Sequence, residues 1–504
     1  MAAPEPDAGN MQDMGNPQED MSASPDMNVP EDMSTDMGVD QGQDLDMSPG
    51  EDMSAKDMPA DMPTECVPGN GNMSAAPYKL CKAADFTAIR DTPGGLFELG
   101  DDIIIPPDFD PIPSFTGELR GNGHTIAGLH LTKSTAEDAP CQGMVGYAGS
   151  FIHQLDGGRV KDIVFSGVKL GDDSTPIPTL ASNCQLIVGG IFGSVLSSVD
   201  NRTDGEGGID NVIVRGLDVH SRALVGGLAG LIQESEITNT HVLGDGTSPA
   251  TIDVRTSGAG IAYQVTNADI SYTSFQGDIA VRTPTATMEH SLFIARMTGT
   301  MNKLEHVVAR GHIRANALTG NAAGFIAHLF PDSSVNLSMC ASEANIDTRA
   351  QRVGGFIAEF TGSTNLTPSI SLCYSGQLSN SQRTTLAGND VVGGALGKVS
   401  NPNGEDIQLT VIWTHLNLDS ANPATMHLGC TFGMADNPGA LDISDVHPEN
   451  PGPMNGFPYL CNGREAIEQP TGATFFQDVG GTYRIRSVER WFAPLRDPNL
   501  SLSP

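Results

Sequence analysis

Bases, aromatics and long apolar runs are scarce in this chain, and each scarcity excludes something. The 504 residues hold 27 Lys and Arg against 61 Asp and Glu, for a formal net charge of −34. Nucleic acid and anionic membrane surfaces are thereby excluded as partners, because the phosphate term would be repulsive. No window approaches the roughly 18 consecutive apolar residues of a membrane span, so no transmembrane segment is expected. Aromatics make up 5% of residues and charged side chains 17%, which fits neither a coiled coil nor a typical enzyme core. The eight cysteines include no CxxC and no Cys/His cluster with zinc spacing, and no cofactor or firm metal site is expected. Met1 to Asp7 lack the basic and apolar regions of a secretory leader.

The negative charge is uneven. Residues 1–65 hold 17 of the acids and one base, Lys56, and so carry −16; the other 439 residues carry −18. In this tail the pair Asp-Met recurs nine times, from Asp13-Met14 to Asp61-Met62, among Pro, Ser, Gly, Ala and Asn. The methionines keep no helical spacing, and prolines interrupt any helix. The tail reads as a disordered, self-repelling spacer. A copper-binding tract is the sharper alternative, disfavoured because thioether and carboxylate prefer different metals.

Glycine is what the chain has in abundance, 58 residues, and from about residue 140 it recurs in one pattern. Val188-Gly189-Gly190-Ile191-Phe192-Gly193 returns as Val225-Gly226-Gly227-Leu228-Ala229-Gly230 and Val353-Gly354-Gly355-Phe356-Ile357-Ala358, with looser copies at Gly146, Gly260, Gly324 and Gly394. A second block follows each copy, as in Ile209-Asp-Asn-Val-Ile-Val-Arg-Gly216 and Leu304-Glu-His-Val-Val-Ala-Arg-Gly311. Apolar and polar residues alternate in it, the two-residue period of a half-buried strand. Two or three short strands per unit of about 33 residues predict an all-β fold, a parallel β-helix of roughly eight to ten coils. A propeller would need about 40–45 residues per blade. The expected division is a disordered linker over 1–65, a cap with first strands over 66–116, the repeats over 117–435 and a second cap over 436–504. Ala83 to Arg90 should form a short helix packing Phe86 and Ile89 on the first coil, and Thr482 to Val488 a closing strand. Glycines are expected at a corner that needs free φ and no side chain.

The glycine block resembles the GLUG motif of bacterial surface β-helices and of the N-terminal region of IgA1-specific metallopeptidases. Leu96-Phe97-Glu98-Leu99-Gly100-Asp101-Asp102-Ile103 resembles the strand leading into those repeats, and Gly121-Asn122-Gly123-His124-Thr125-Ile126 their first turn. The resemblance implies a right-handed β-helix on an extracellular, adhesin-like protein. The peptidase activity does not carry over, since His-Glu-x-x-His, which sets two imidazoles on one helix face, is absent; Glu289-His290 and Glu305-His306 run in the wrong order. The tail resembles the linkers that follow the lipidated cysteine of bacterial lipoproteins, which implies a leader and lipid anchor upstream of Met1.

Cys141 and Cys184 each stand four residues before a Val-Gly pair, and Cys340 and Cys373 share the fourth position of the second block. Equal phase in successive coils predicts Cys141–Cys184 and Cys340–Cys373 bonds, and Cys66–Cys81 and Cys430–Cys461 follow by elimination. The alternative is that inward thiols stack as small apolar residues. Four bonds would place the protein in an oxidising compartment.

Few residues suggest a site. Asp200, Asp204, Glu206 and Asp210 surround a glycine turn with oxygen ligands suited to calcium, but lack EF-hand spacing, and a solvated acidic loop is the simpler reading. The histidines fall within strand blocks, as His241, His306 and His312 do, and read as structural. Carboxylate pairs, Asp108 with Asp110 and Asp172 with Asp173, would serve a polysaccharide-active enzyme, yet neither has a basic neighbour in sequence. Arg159, Lys161, Arg202, Arg215 and Arg222 offer a basic stripe on the early coils. The expectation is a non-catalytic, cell-surface or secreted β-helix binding an extracellular glycan or surface protein, on an outer membrane or outside the cell. A polysaccharide lyase or hydrolase and a structural envelope protein are the alternatives. Three or more carboxylates in one groove would favour the enzyme, and a flat face with exposed aromatics or Thr rows would favour binding.

Overall fold

The computed structural model describes the backbone of residues 77–448, apart from 140, 182–183, 198–206, 283–287, 332, 362–368, 377–383, 401–406, 421–426, 430–431 and 437–440, and of 476–479 and 482–485. Side chains are described, with a few gaps, as far as residue 400. The chain divides into two units, Met1–Pro63 and Thr64–Pro504. The acidic tail, Cys66, Cys430, Cys461 and most of the C-terminal cap lie outside the described residues.

The repeats form a parallel β-helix. In one coil the chain runs through Ala229–Gln233, Glu236–Leu243, Ala250–Val254 and Gly258–Ala259. It then meets itself at Ala262, which pairs in parallel with Ala229 33 residues earlier. Ten strands, from Ile112–Phe115 to Phe432–Asp436, stack into one sheet, and the other segments join round their corners into a continuous 31-stranded sheet. Each coil thus has four strand segments rather than two or three, because the glycine block carries a strand on both sides of its corner, Leu224–Gly226 and Ala229–Gln233 in one copy. Among the described coils the antiparallel pairs are two hairpins, Cys141–Gln142 on Val145-Gly146 and Leu180–Ala181 on Cys184-Gln185.

Inward side chains make the core. Leu228, Ile261, Phe293, Phe325 and Phe356 occupy one column and are fully buried. The rings of Phe293, Phe325 and Phe356 follow at 5.5 and 5.8 Å. Each buried side chain of this size stabilises by about 1.5–3 kcal/mol, and only neighbouring coils can supply the burial.

The glycine corner works by close approach, not by free φ. A Cβ on Gly226 would lie 1.8 Å from the Ala229 carbonyl oxygen, and one on Gly227 would lie 2.1 Å from that of Gly260 in the next coil. The chain folds back so tightly here that the outer faces of the two flanking strands meet.

Left-handed φ falls at another corner, in the third residue of the second block from Asp162 onward and one place later, at Asn122, in the turn before it. Asn122, Asp162, Asn211, Asn239, Tyr272, His306, Met339 and Leu372 all have φ between 46° and 57°. Asn and Asp tolerate this region; the four bulky residues pay a steric penalty there.

At the N-terminal end, Ala83–Phe86 and Thr87–Asp91 form the expected short helix. Phe86 and Ile89 are fully buried, and the Phe86 ring meets Phe151 edge-on at 5.3 Å. Thr482–Ile485 is a strand, paired antiparallel with Phe476–Val479 in a separate two-stranded sheet.

Candidate functional site

The outer side of the third strand in each coil is a polar face. Its parallel register aligns His130, Lys169, Asp218, Thr251, Asp278, His312 and Asn345 in one column. Beside it run His220, Asp253, Ala280, Arg314 and Asp347. The intervening residues, such as Val219, Ile252, Ile279, Ile313 and Ile346, point inward and are buried. Period-two alternation therefore produces both the core and the face.

Two clusters stand out on it. In the first, His220 lies 3.2 Å from Asp218, 3.3 Å from Asp173 and 3.7 Å from Asp253. The Arg282 guanidinium bonds Asp173 at 2.5 Å and also bonds Asp253. Ligand atoms of Asp173, His220 and Asp253 lie within 4.8 Å of one another, a spacing a cation could use. Arg282 already supplies positive charge there, and the enclosed space is about 10 Å³, far below a sugar ring. Asp173 thus does gain basic partners, but Arg282 is 109 residues away in sequence. Its neighbour Asp172 caps a turn: bonds from the Ser174 hydroxyl and the Thr175 amide hold its carboxyl well below the usual range.

The second cluster lines an open cleft of about 350 Å³ at the elbow between the second and third strands. Successive coils place Gln276 and Arg310 on one wall and Asp278 and His312 on the other; Glu343 and Asn345 hold the same register positions in the next coil. Gly277 and Gly311 lie between the walls, where a Cβ on Gly311 would fall 1.6 Å from the Gly277 oxygen. The loop Gly244–Pro249 closes one end. Asp278 accepts from the His312 amide at 3.1 Å and lies 2.9 Å from its Nδ1. Arg310 lies 3.5 Å from Glu343, which is 3% exposed.

The remaining candidates are placed as follows. Asp210 lies on a strand and pairs with Arg159 at 3.1 Å, while Asp200, Asp204 and Glu206 lie outside the described residues. Lys161 and Arg120 both bond Glu118 at 2.8 Å, and with Arg120 the larger influence its pKa falls to about 2. The early basic stripe is thus neutralised at Arg159 and Lys161; Arg202 lies outside the described residues. Asp108 and Asp110 are exposed, and Arg90 bonds the carbonyl of Asp110. His241 is buried and lies 2.9 Å from the Ser274 hydroxyl. His306 stacks on Tyr272 at 4.7 Å.

Cys141 and Cys184 are disulfide-bonded, with 6.1 Å between Cα atoms. The geometry differs from equal phase. Gln185 pairs with Val145, so Cys184 is level with Met144, and the hairpin at Gly143 brings Cys141 alongside. Cys81 is disulfide-bonded, and its expected partner Cys66 lies outside the described residues. The expected Cys340–Cys373 bond is not formed; both are buried thiols. They are level, since Ala341 pairs with Tyr374, and burial first, then the neighbouring Cys373, pushes the Cys340 thiol well above its usual range, which withholds the thiolate that bond formation needs. Each thiol donates to the carbonyl two residues back, Ser338 at 3.2 Å and Ser371 at 3.1 Å. Thr240 and Thr273, at the same position of earlier blocks, make the same bond at 2.9 and 2.8 Å. These cysteines take the place of threonines.

The glycine corner holds a seam that sequence reasoning missed. Early in the solenoid it is apolar: Ile187, Ala259, Tyr263 and Ala295 cluster with Val145, Tyr147 and Leu224. Later it is ionic. Glu289 bonds Arg296 across the corner, Arg352 bonds Glu359 at 2.9 Å, and His328 lies 3.1 Å from Glu289 and 4.0 Å from Glu359. The signal was present, since both pairs flank the glycine block seven residues apart.

Fold and site together define a parallel β-helix solenoid with a disulfide and a polar outer face. A solved structure titled "IgA1 Protease" matches 73% of this chain and 21% of its own length, at 13% identity and a TM-score of 0.32. The chain therefore spans about a fifth of that protein. No protein-family model matches, and no curated protein matches. Among the described residues no helix is long and apolar enough to cross a membrane.

Proposed function

We propose that this is a secreted or cell-surface binding protein of the GLUG type, adhesin-like, whose outer face holds an extracellular glycan or surface protein. The observation that carries this reading is the polar column from His130 to Asn345, seven coils deep, with an open cleft on it. Polar side chains at every coil spacing suit a long ligand that repeats, because each coil offers the same kind of contact one step further along. The disulfides fit an oxidising compartment, and the acidic tail fits a spacer between an anchor and the solenoid. A glycan array read for retention, run beside a depolymerisation assay on the same polysaccharides, tests it. Retention without cleavage is expected; turnover without stable binding would overturn it.

One observation favours the enzyme. Asp173, Asp218 and Asp253 converge on His220 with Arg282 adjacent, three carboxylates and a base on one face. The ion pairs fill that space, so substrate would first have to displace Arg282. Arg282→Ala in the depolymerisation assay separates the readings: cleavage that appears or disappears with this change supports catalysis at His220.

A further inference from the structure

We infer that the elbow cleft is a subsite for neutral, hydroxyl-rich oligosaccharide, laid along the solenoid axis across three coils. The inference rests on the binding reading above and names its ligand class and place. Three features of the cleft carry it.

The first is shape. About 350 Å³ lies open to solvent between two walls, and the floor is Gly277 and Gly311, where no side chain stands between a ligand and the backbone. Small ligand sites fall in the range of about 300–1,000 Å³. The second is the repeat. Gln276 with Asp278 and Arg310 with His312 line the cleft in two successive coils, and the loop from Gly244 to Pro249 lines it from the coil before, so a ligand meets polar groups once per coil. These are planar amide, carboxylate, guanidinium and imidazole groups. Each presents two polar atoms in one plane, the arrangement that brackets vicinal hydroxyls. Thr247 and Ser248 add hydroxyls at the rim. The third is charge. Arg310 has Glu343, and His312 has Asp278. Arg314 lies 3.7 Å from the same Asp278. Each cation near the cleft already faces an acid, and the solenoid as a whole is acidic, so a uronate or sulfated chain would be repelled. A neutral sugar can exchange hydroxyl bonds with these pairs without parting them.

The test is calorimetric titration of the full chain with neutral hexasaccharides, including a β-1,4-linked hexaglucose, and with hexagalacturonate. The variants are Arg310→Gln and Ser248→Trp, with Lys79→Ala as control. Ser248→Trp narrows the mouth from an exposed loop and leaves every ion pair in place, so it separates lost binding from lost folding. Wild type and the Lys79 variant should bind a neutral hexamer, and both cleft variants should weaken that binding about tenfold or more. Unchanged affinity in Ser248→Trp would overturn the cleft while leaving the binding reading intact. Tighter binding of hexagalacturonate would overturn the ligand class. A wild type that binds no glycan would overturn both.

Discussion

The two halves of the solenoid share an interior and differ outside. Inward, Leu228 and Ile261 before the middle correspond to Phe325 and Phe356 after it, all fully buried. Outward, two features change between about residues 260 and 290, and the cysteines change along the chain as well. The left-handed corner passes from Asn and Asp to Tyr272, His306, Met339 and Leu372. In the first half Asn239 donates to Asn211 and Asn211 to Asp162, each at 2.7 Å. The corner seam passes from Ile187 and Tyr263 to Glu289, Arg296 and Glu359. Cysteine passes from the Cys141–Cys184 bond to two thiols. One fold therefore tolerates two exteriors, because coil stacking is fixed by the inward columns and the backbone ladder.

The largest expected asymmetry lies in the cysteines. A bond spanning 43 residues stabilises by about 4 kcal/mol. Cys141→Ala with Cys184→Ala should lose that amount in denaturant unfolding. Cys340→Ser, which keeps the bond to the Ser338 carbonyl, should change stability by less than about 1 kcal/mol. An equal loss in the two would break the comparison. Alkylation after unfolding without reductant should label Cys340 and Cys373 and spare Cys141 and Cys184.

Acid should act next most strongly, through buried imidazoles, of which His290 lies at the junction. Burial lowers His153 and His241 from 6.5 to about 4, and His290 to about 3. The folded state disfavours the protonated ring, so the unfolded chain binds more protons below pH 6.5. Each group's contribution is whole above pH 6.5 and is lost as pH falls through about 4, or about 3 for His290. Between pH 6.5 and 4 the expected loss is about 3 kcal/mol per histidine. His290 is buried beside small neighbours in register, Gly258 and Ala322, which leave its ring room. His290→Leu should reduce the acid sensitivity measured by unfolding between pH 7 and 4; an unchanged pH profile would remove the assignment.

The seam should separate the halves by salt. Ile187→Ala and Glu289→Gln should each cost about 2 kcal/mol, the first by an unfilled volume and the second by leaving Arg296 without its partner. In 1 M salt, where screening acts over about 3 Å, the cost of Glu289→Gln should shrink and that of Ile187→Ala should persist. The smallest effect has the opposite sign. Met339→Asn relieves a bulky residue in the left-handed region and should stabilise by about 1 kcal/mol, whereas Asn239→Ala should lose about as much. A destabilised Met339→Asn would show that its side chain contributes more than its strain costs.

Much of the architecture is written locally. The alternation in Ile209-Asp-Asn-Val-Ile-Val and the recurring glycine pairs define strands and coils, because a solenoid's long-range contacts recur from each coil to the next. Two or three strands per coil is too low a count because the glycine block forms a strand on each side of its corner. The site was less legible. Arg282 meets Asp173 only after three coils have stacked, and no local pattern announces it. The left-handed column was visible as the third residue of each block, yet its chemistry changes from Asn to Leu, which hides the shared backbone. The cysteines show the limit most clearly. Phase alone predicts two bonds; one forms through a hairpin that phase does not see, and at the other the two buried thiols donate to carbonyls instead.

The parallel register at the tight corner has a consequence for length. Ala229 and Ala262 hold the same place in successive coils, and so do Ala262 and Ile294. Excising residues 229–261 would join Leu228 to Ala262 with every later strand still meeting a partner at its accustomed position. The molecule has translational symmetry along its axis, so whole coils can be lost or duplicated as units. Its reach can change by steps of one coil while the chemistry at either end stays where it is.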